Sequence, residues 1–157
     1  DMKNYRPLII KISLIICILA ILLLSYVLHE FSFQLAEEYP ELSYMRLPMF
    51  ILCMGVSLST IIAIIFAFFA LLNYEKNQIF TIKLYKNLKN ISKSLYIAII
   101  FEILIHIYSH INVPYPITNF FVKMVILFYF IISQIFLLIA DIICKGEKIK
   151  KDWDLTI

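Results

Sequence analysis

The chain has 157 residues, of which 62% are hydrophobic and only 16% charged, with a formal net charge of +3. Soluble domains run nearer 45–50% apolar and 25% charged, so this composition excludes an ordinary soluble fold. With two glycines, Gly55 and Gly146, the chain has no glycine-rich nucleotide loop and no GxxxG helix-packing motif.

Four apolar blocks follow one another, roughly residues 7–28, 47–72, 91–111 and 118–143. About 20 apolar residues in a helix cross the roughly 30 Å hydrocarbon core, and a helix satisfies its own backbone in lipid. The expected fold is an all-α membrane protein: a single four-transmembrane-helix bundle in contact with the lipid bilayer along its length. The first block follows a basic stretch with Lys3 and Arg6, as in a signal peptide. Its apolar run is longer than such a peptide needs and no clean small-x-small site follows, so a retained helix is expected. Cys17, Cys53 and Cys144 fall in three different expected helices, Cys144 at a helix end, without a CxxC pair and read as small core hydrophobes.

Between the first two blocks, residues 29–46 mix Phe31, Phe33, Leu35 and Tyr39 with Glu30, Glu37, Glu38 and Glu41. That pattern suits a short amphipathic segment lying at the interface. In the second block Ser57, Ser59, Ala63 and Ala67 are small enough to bring a neighbouring helix close. After it come Lys76, Lys83, Lys86, Lys89 and Lys93, with Thr81 placed as an N-cap and Ile82, Tyr85, Leu88 and Ile91 recurring on one face. This predicts a basic amphipathic helix running directly into the third block, either snorkelling at anionic headgroups or docking a protein.

Twelve of the fourteen Lys and Arg residues lie in the N-terminal stretch, this middle connection and the tail, leaving Arg46 and Lys123 opposite. The positive-inside rule then predicts both termini in the cytoplasm of a bacterial cell, in its plasma membrane. The short connection with Pro114 and Pro116 around Tyr115 makes the third and fourth helices antiparallel neighbours. Asp141 is expected to pair with Lys145 at i+4, and Trp153 to anchor at the headgroups or on the basic helix.

Glu102 is the conspicuous polar residue, about 16 Å into the third block. His106, Ser109 and His110 follow it on one face, and Ser133 and Gln134 of the fourth block are expected at similar depth, with Ser57, Ser59 and Thr60 within a turn. An ionisable group at that depth is a functional-site hypothesis. Three uses compete: a protonated carboxyl hydrogen-bonded to His106, Gln134 or a serine; a polar stripe for a proton, ion or small ligand; and a metal site. Glu102 and His110 lie about 12 Å apart along the axis, so one ion cannot join them. The weak metal candidates are His29, His106 and His110. No cofactor site and no enzyme motif is present.

The run Asn77-Gln-Ile-Phe-Thr81, then Leu84, Leu88 and Ile91, resembles the centre of a family of small four-helix bacterial membrane proteins of unknown function. The tail, from Ile139 through Gly146 to Asp154-Leu-Thr-Ile157, is similar to that family's closing motif. Family members often carry glycine where this chain has Asn77, and both residues suit turns. The resemblance implies the fold and, as partner, a Cro/CI-type helix-turn-helix regulator encoded nearby. The expected function is a non-enzymatic sensor passing a membrane or outer signal to that regulator. Lys83, Lys86, Lys89, Trp153, Asp154 and Leu155 would form the docking surface, with no direct nucleic-acid binding by the chain itself. The alternatives are a small channel or carrier subunit, as a homo-oligomer using Glu102, and an immunity protein whose acidic outer face meets a cationic peptide.

Overall fold

The computed structural model describes residues 5–113 and 116–155. Lys3, the Pro114–Tyr115 part of the expected stiff connection, and Thr156 and Ile157 of the closing motif lie outside them. Among the described residues all regular structure is helical: α1 (Arg6–Glu38), a 3-10 turn (Pro40–Met45), α2 (Arg46–Glu75), α3 (Ile82–Asn112) and α4 (Pro116–Leu155). Four helices are long and apolar enough to cross a membrane, which makes the chain a multi-pass membrane protein.

The helices outrun the apolar blocks. At about 1.5 Å per residue, the 33 residues of α1 and the 40 of α4 are about 50 and 60 Å long. Hydropathy marks where the chain leaves lipid, whereas the hydrogen-bonded ladder continues into water. The segment expected as a separate interfacial helix after residue 28 is instead the last turns of α1 plus the 3-10 turn. Likewise, the helix expected to end near residue 143 continues through the tail to Leu155.

Antiparallel contacts fix the register. Lys11 of α1 forms an ion pair with Glu75 of α2, the Ser25 and Ser57 hydroxyls lie 3.4 Å apart, and His29 meets Phe50 edge-on. On the other side, Ser92 of α3 faces Ser133 of α4, and His110 faces Asn119. α3 is central, with its backbone against both α2 and α4, while the backbone of α1 approaches α2 and the 3-10 turn alone. Only Pro7 of α1 is buried.

Packing is uneven along the bundle. The core joins Ala63 and Ala70 of α2, Leu84, Leu88, Ile91 and Leu95 of α3, and Ala140 and Ile143 of α4, all toward the Lys-rich end. Small residues permit the close approach: Ala98 and Ala140 are 0% and 1% exposed. Ser59 and Ala63 are buried as their size suggested. Of the cysteines, Cys17 is exposed and Cys53 and Cys144 half-buried, so Cys17 is no core residue; all three are free thiols.

Two turns at the Lys-rich end are built by recognisable local chemistry. Thr81 caps α3 in extended backbone, its hydroxyl accepting from the Leu84 N–H at 3.3 Å. α2 ends in a Schellman motif: the Asn77 N–H donates to the Tyr74 carbonyl and the Gln78 N–H to the Asn73 carbonyl, each at 3.0 Å. Asn77 takes the left-handed conformation this requires, φ 55°. Asn tolerates that region and a β-branched residue does not. We expect Asn77→Val to destabilise the protein by about 1–2 kcal/mol and Asn77→Gly to leave it unchanged or firmer, read from thermal unfolding in detergent.

Candidate functional site

Toward the Glu-rich end the bundle is hollow. Beside Glu102 lies a half-open cavity of about 300 Å³ walled by Ile21, Leu24 and Leu28 of α1, Ser57 and Thr60 of α2, Ile105 of α3 and Tyr129 of α4. Because α1 stands off from α3 and α4, the space between them is not filled by interdigitating side chains.

The polar atoms of this cavity are largely acceptors. The Thr60 hydroxyl donates to the Val56 carbonyl at 2.8 Å, the usual backbone bond of a helical threonine. Its single proton is thereby used, so at the 2.8 Å Thr60–Tyr129 contact the tyrosine donates. The Tyr129 oxygen keeps its acceptor lone pairs. Glu102 is half-buried, and among the described residues it forms no hydrogen bond or ion pair.

The expected stripe divides into separate pieces. Ser57 and Thr60 do share the cavity with Glu102. Ser133 does not: it is fully buried against Ser92, whose hydroxyl donates to the Ser133 carbonyl at 2.8 Å while the Ser133 hydroxyl returns a 3.4 Å bond. Gln134 donates to the Tyr96 hydroxyl. The short connection pins His110 opposite Asn119; counting away from there sets residue 133 opposite residue 96, and its bond to Ser92 seats it one turn further on, about 15 Å of helix from Glu102. Tyr129 takes the place expected of Ser133 and Gln134. Its signal was a phenol in the middle of an apolar helix, where the hydroxyl needs a partner.

His106 and His110 stack with centroids 6.1 Å apart, and the His110 Nδ1 accepts from the Asn119 amide at 2.9 Å. The His106 Nδ1 is buried and unpartnered among the described residues. Ser109 gives its carbonyl to the Val113 N–H at the end of α3. His29 does not join these histidines; it lies 3.3 Å from Glu30 and packs on Phe33 and Phe50. Among the described residues no group of three His, Cys, Asp or Glu side chains is arranged to hold a metal ion.

At the opposite end Lys83, Lys86 and Lys89 are exposed along α3, with the Lys89 ammonium 3.1 Å from the Tyr85 hydroxyl. Trp153, Asp154 and Leu155 are exposed on the last turn of α4. The expected Asp141–Lys145 pair does not form; Lys151 and Glu147 pair instead at 3.1 Å. Phe80, just before the Thr81 cap, lies over Gly146 so closely that a side chain at 146 has no room.

A family described as a protein of unknown function, DUF2975, matches residues 30–157. The chain belongs to the DUF2975 family. No curated protein and no solved structure matches it. The DUF2975 match takes in α2, α3 and α4 whole, and with them Thr60, Glu102 and Tyr129; of α1 it takes only the end beyond His29. The two stretches that carried the resemblance meet in space, since Phe80 of the first packs on Gly146 of the second.

Proposed function

We propose that this DUF2975 protein is a non-enzymatic sensor of the bacterial plasma membrane. Both termini and the Lys-rich connection face the cytoplasm, in keeping with the charge asymmetry. The observation that carries the reading is the contrast between the two ends. The Glu-rich half is hollow around an unpaired carboxyl, while the Lys-rich half is tightly packed and continuous with exposed Lys83, Lys86, Lys89 and Trp153. α3 and α4 run unbroken from one half to the other. An occupant that prefers one helix arrangement shifts that equilibrium, and two rigid helices carry the shift to the cytoplasmic surface. A carrier is favoured less, because Ser133 and Gln134 are engaged with Ser92 and Tyr96 rather than prolonging a polar path.

The partner in this reading is the helix-turn-helix regulator encoded beside the protein, and the test is its binding to the detergent-solubilised chain. Ending the chain at Glu147 keeps the Phe80–Gly146 contact and removes the exposed last turns of α4. Binding is expected to weaken at least tenfold on that truncation, and again on reversing the charges of Lys83, Lys86 and Lys89. A folded, monodisperse protein with no affinity for the regulator rules the reading out.

A further inference from the structure

The hollow end of the bundle has a chemistry of its own. Three cavities adjoin along the inner side of α1. The outermost, about 500 Å³, is bordered by Glu37 and Glu38 and shares Phe31 and Leu35 with the next. That next one is an apolar vestibule of about 350 Å³, which in turn shares Leu28 and Cys53 with the cavity holding Glu102. Small-molecule sites typically offer roughly 300–1,000 Å³ of mostly apolar space with a few placed polar groups. This row of cavities has two carboxylates at one end, apolar walls between and a third carboxyl at the other.

We propose that it binds a lipophilic amine: an organic ammonium on an extended apolar body. The ammonium is all donor, and the inner cavity is mostly acceptor. Glu102 has no partner among the described residues, the Tyr129 oxygen keeps its lone pairs, and the Thr60 proton is spent on a backbone carbonyl. A carboxylate deep in a membrane protein costs several kcal/mol unless paired, and an incoming cation supplies the missing charge. A fatty acid brings the wrong sign to Glu102, Glu37 and Glu38. Arg46, the cation on the vestibule wall, is already stacked over the Phe33 ring at 4.1 Å, and Lys123 of α4 is exposed and unpaired with Glu102. The occupant has a lateral way in, because among the described residues α1 is held against α2 and the 3-10 turn but not against α3 or α4, and the cavities are half-open. This inference supplies an input to the sensor reading and rests on it only for biological purpose.

The experiment measures saturable binding of labelled dodecylammonium to the full chain in phosphatidylcholine nanodiscs, with empty nanodiscs as background. Dodecanol and dodecanoate, of the same chain length, serve as competitors. Dodecylammonium is expected to saturate at one per chain and to resist both competitors at tenfold excess. E102Q is expected to weaken it at least tenfold and Y129F about threefold, with helicity and monodispersity unchanged. Equal competition by dodecanol, stronger competition by dodecanoate, or full affinity in folded E102Q each overturns the proposal. If E102Q does not fold, the choice among the three head groups on the unaltered chain still decides. Saturable ammonium binding without any effect on the regulator upholds the site and sinks the sensor reading; regulator binding without ammonium binding does the reverse.

Discussion

Gly55→Val is expected to lower the stability of the folded bundle by about 1–3 kcal/mol, the usual penalty for forcing extra carbons into a packed interface. A Cβ at position 55 meets the Cδ1 and Cε1 of Phe101 at 2.5 Å and its Cζ at 2.7 Å, where carbon atoms ordinarily rest about 3.5–4.0 Å apart. The ring belongs to α3, which is clamped between α2 and α4, so it cannot retreat without disturbing a second interface. Unfolding in mixed SDS micelles measures the loss. Phe101→Leu in the same chain removes the obstructing ring carbons and is expected to restore most of it. If the single and double variants unfold alike, the close approach of α2 and α3 at Gly55 is not what holds them.

The second large effect is expected on the α3–α4 interface. Ser92 and Ser133 are 1% and 0% exposed and exchange hydroxyl–carbonyl bonds across it. Ser133→Leu removes one donor and inserts three carbons where there is no space, at a cost of about 1–3 kcal/mol. Ser133→Ala removes only the longer bond, and interhelical hydrogen bonds in membrane proteins average about 0.6 kcal/mol, so it is expected to be mild. The same SDS titration separates the two. An alanine variant as unstable as the leucine one would place the weight on the hydrogen bond rather than on close packing.

The membrane-spanning helices were legible because a run of 20 apolar residues has almost no other use. Their ends were legible only where a cap marked them: Thr81 gave the start of α3 at Ile82, whereas Leu28 marks a change in polarity and α1 stops only at Glu38. Depth alone brought Glu102, Ser57 and Thr60 together correctly, since all three are near the middle of their spans. It failed for Ser59, which lines no part of that cavity and donates to the Gly55 carbonyl, and for Ser133 and Gln134, which are held against Ser92 and Tyr96, because depth says nothing about rotation or register. Asn77 was readable as a turn residue, but its left-handed backbone gives the reason. Phe80 and Gly146 could be seen as pieces of two motifs; that one is the seat of the other depends on the fold.

The position of α1 outside the α2–α3–α4 core bears on assembly. α1 is made before α2, the helix it packs against, and its clasp at the Lys-rich end, Lys11 to Glu75, cannot close until the whole of α2 has been synthesised. Until then it must persist alone in lipid, and a helix apolar on every face can do so. Docking of α1 therefore waits on the completion of α2, and the chamber around Glu102 is walled only once α3 and α4 have followed.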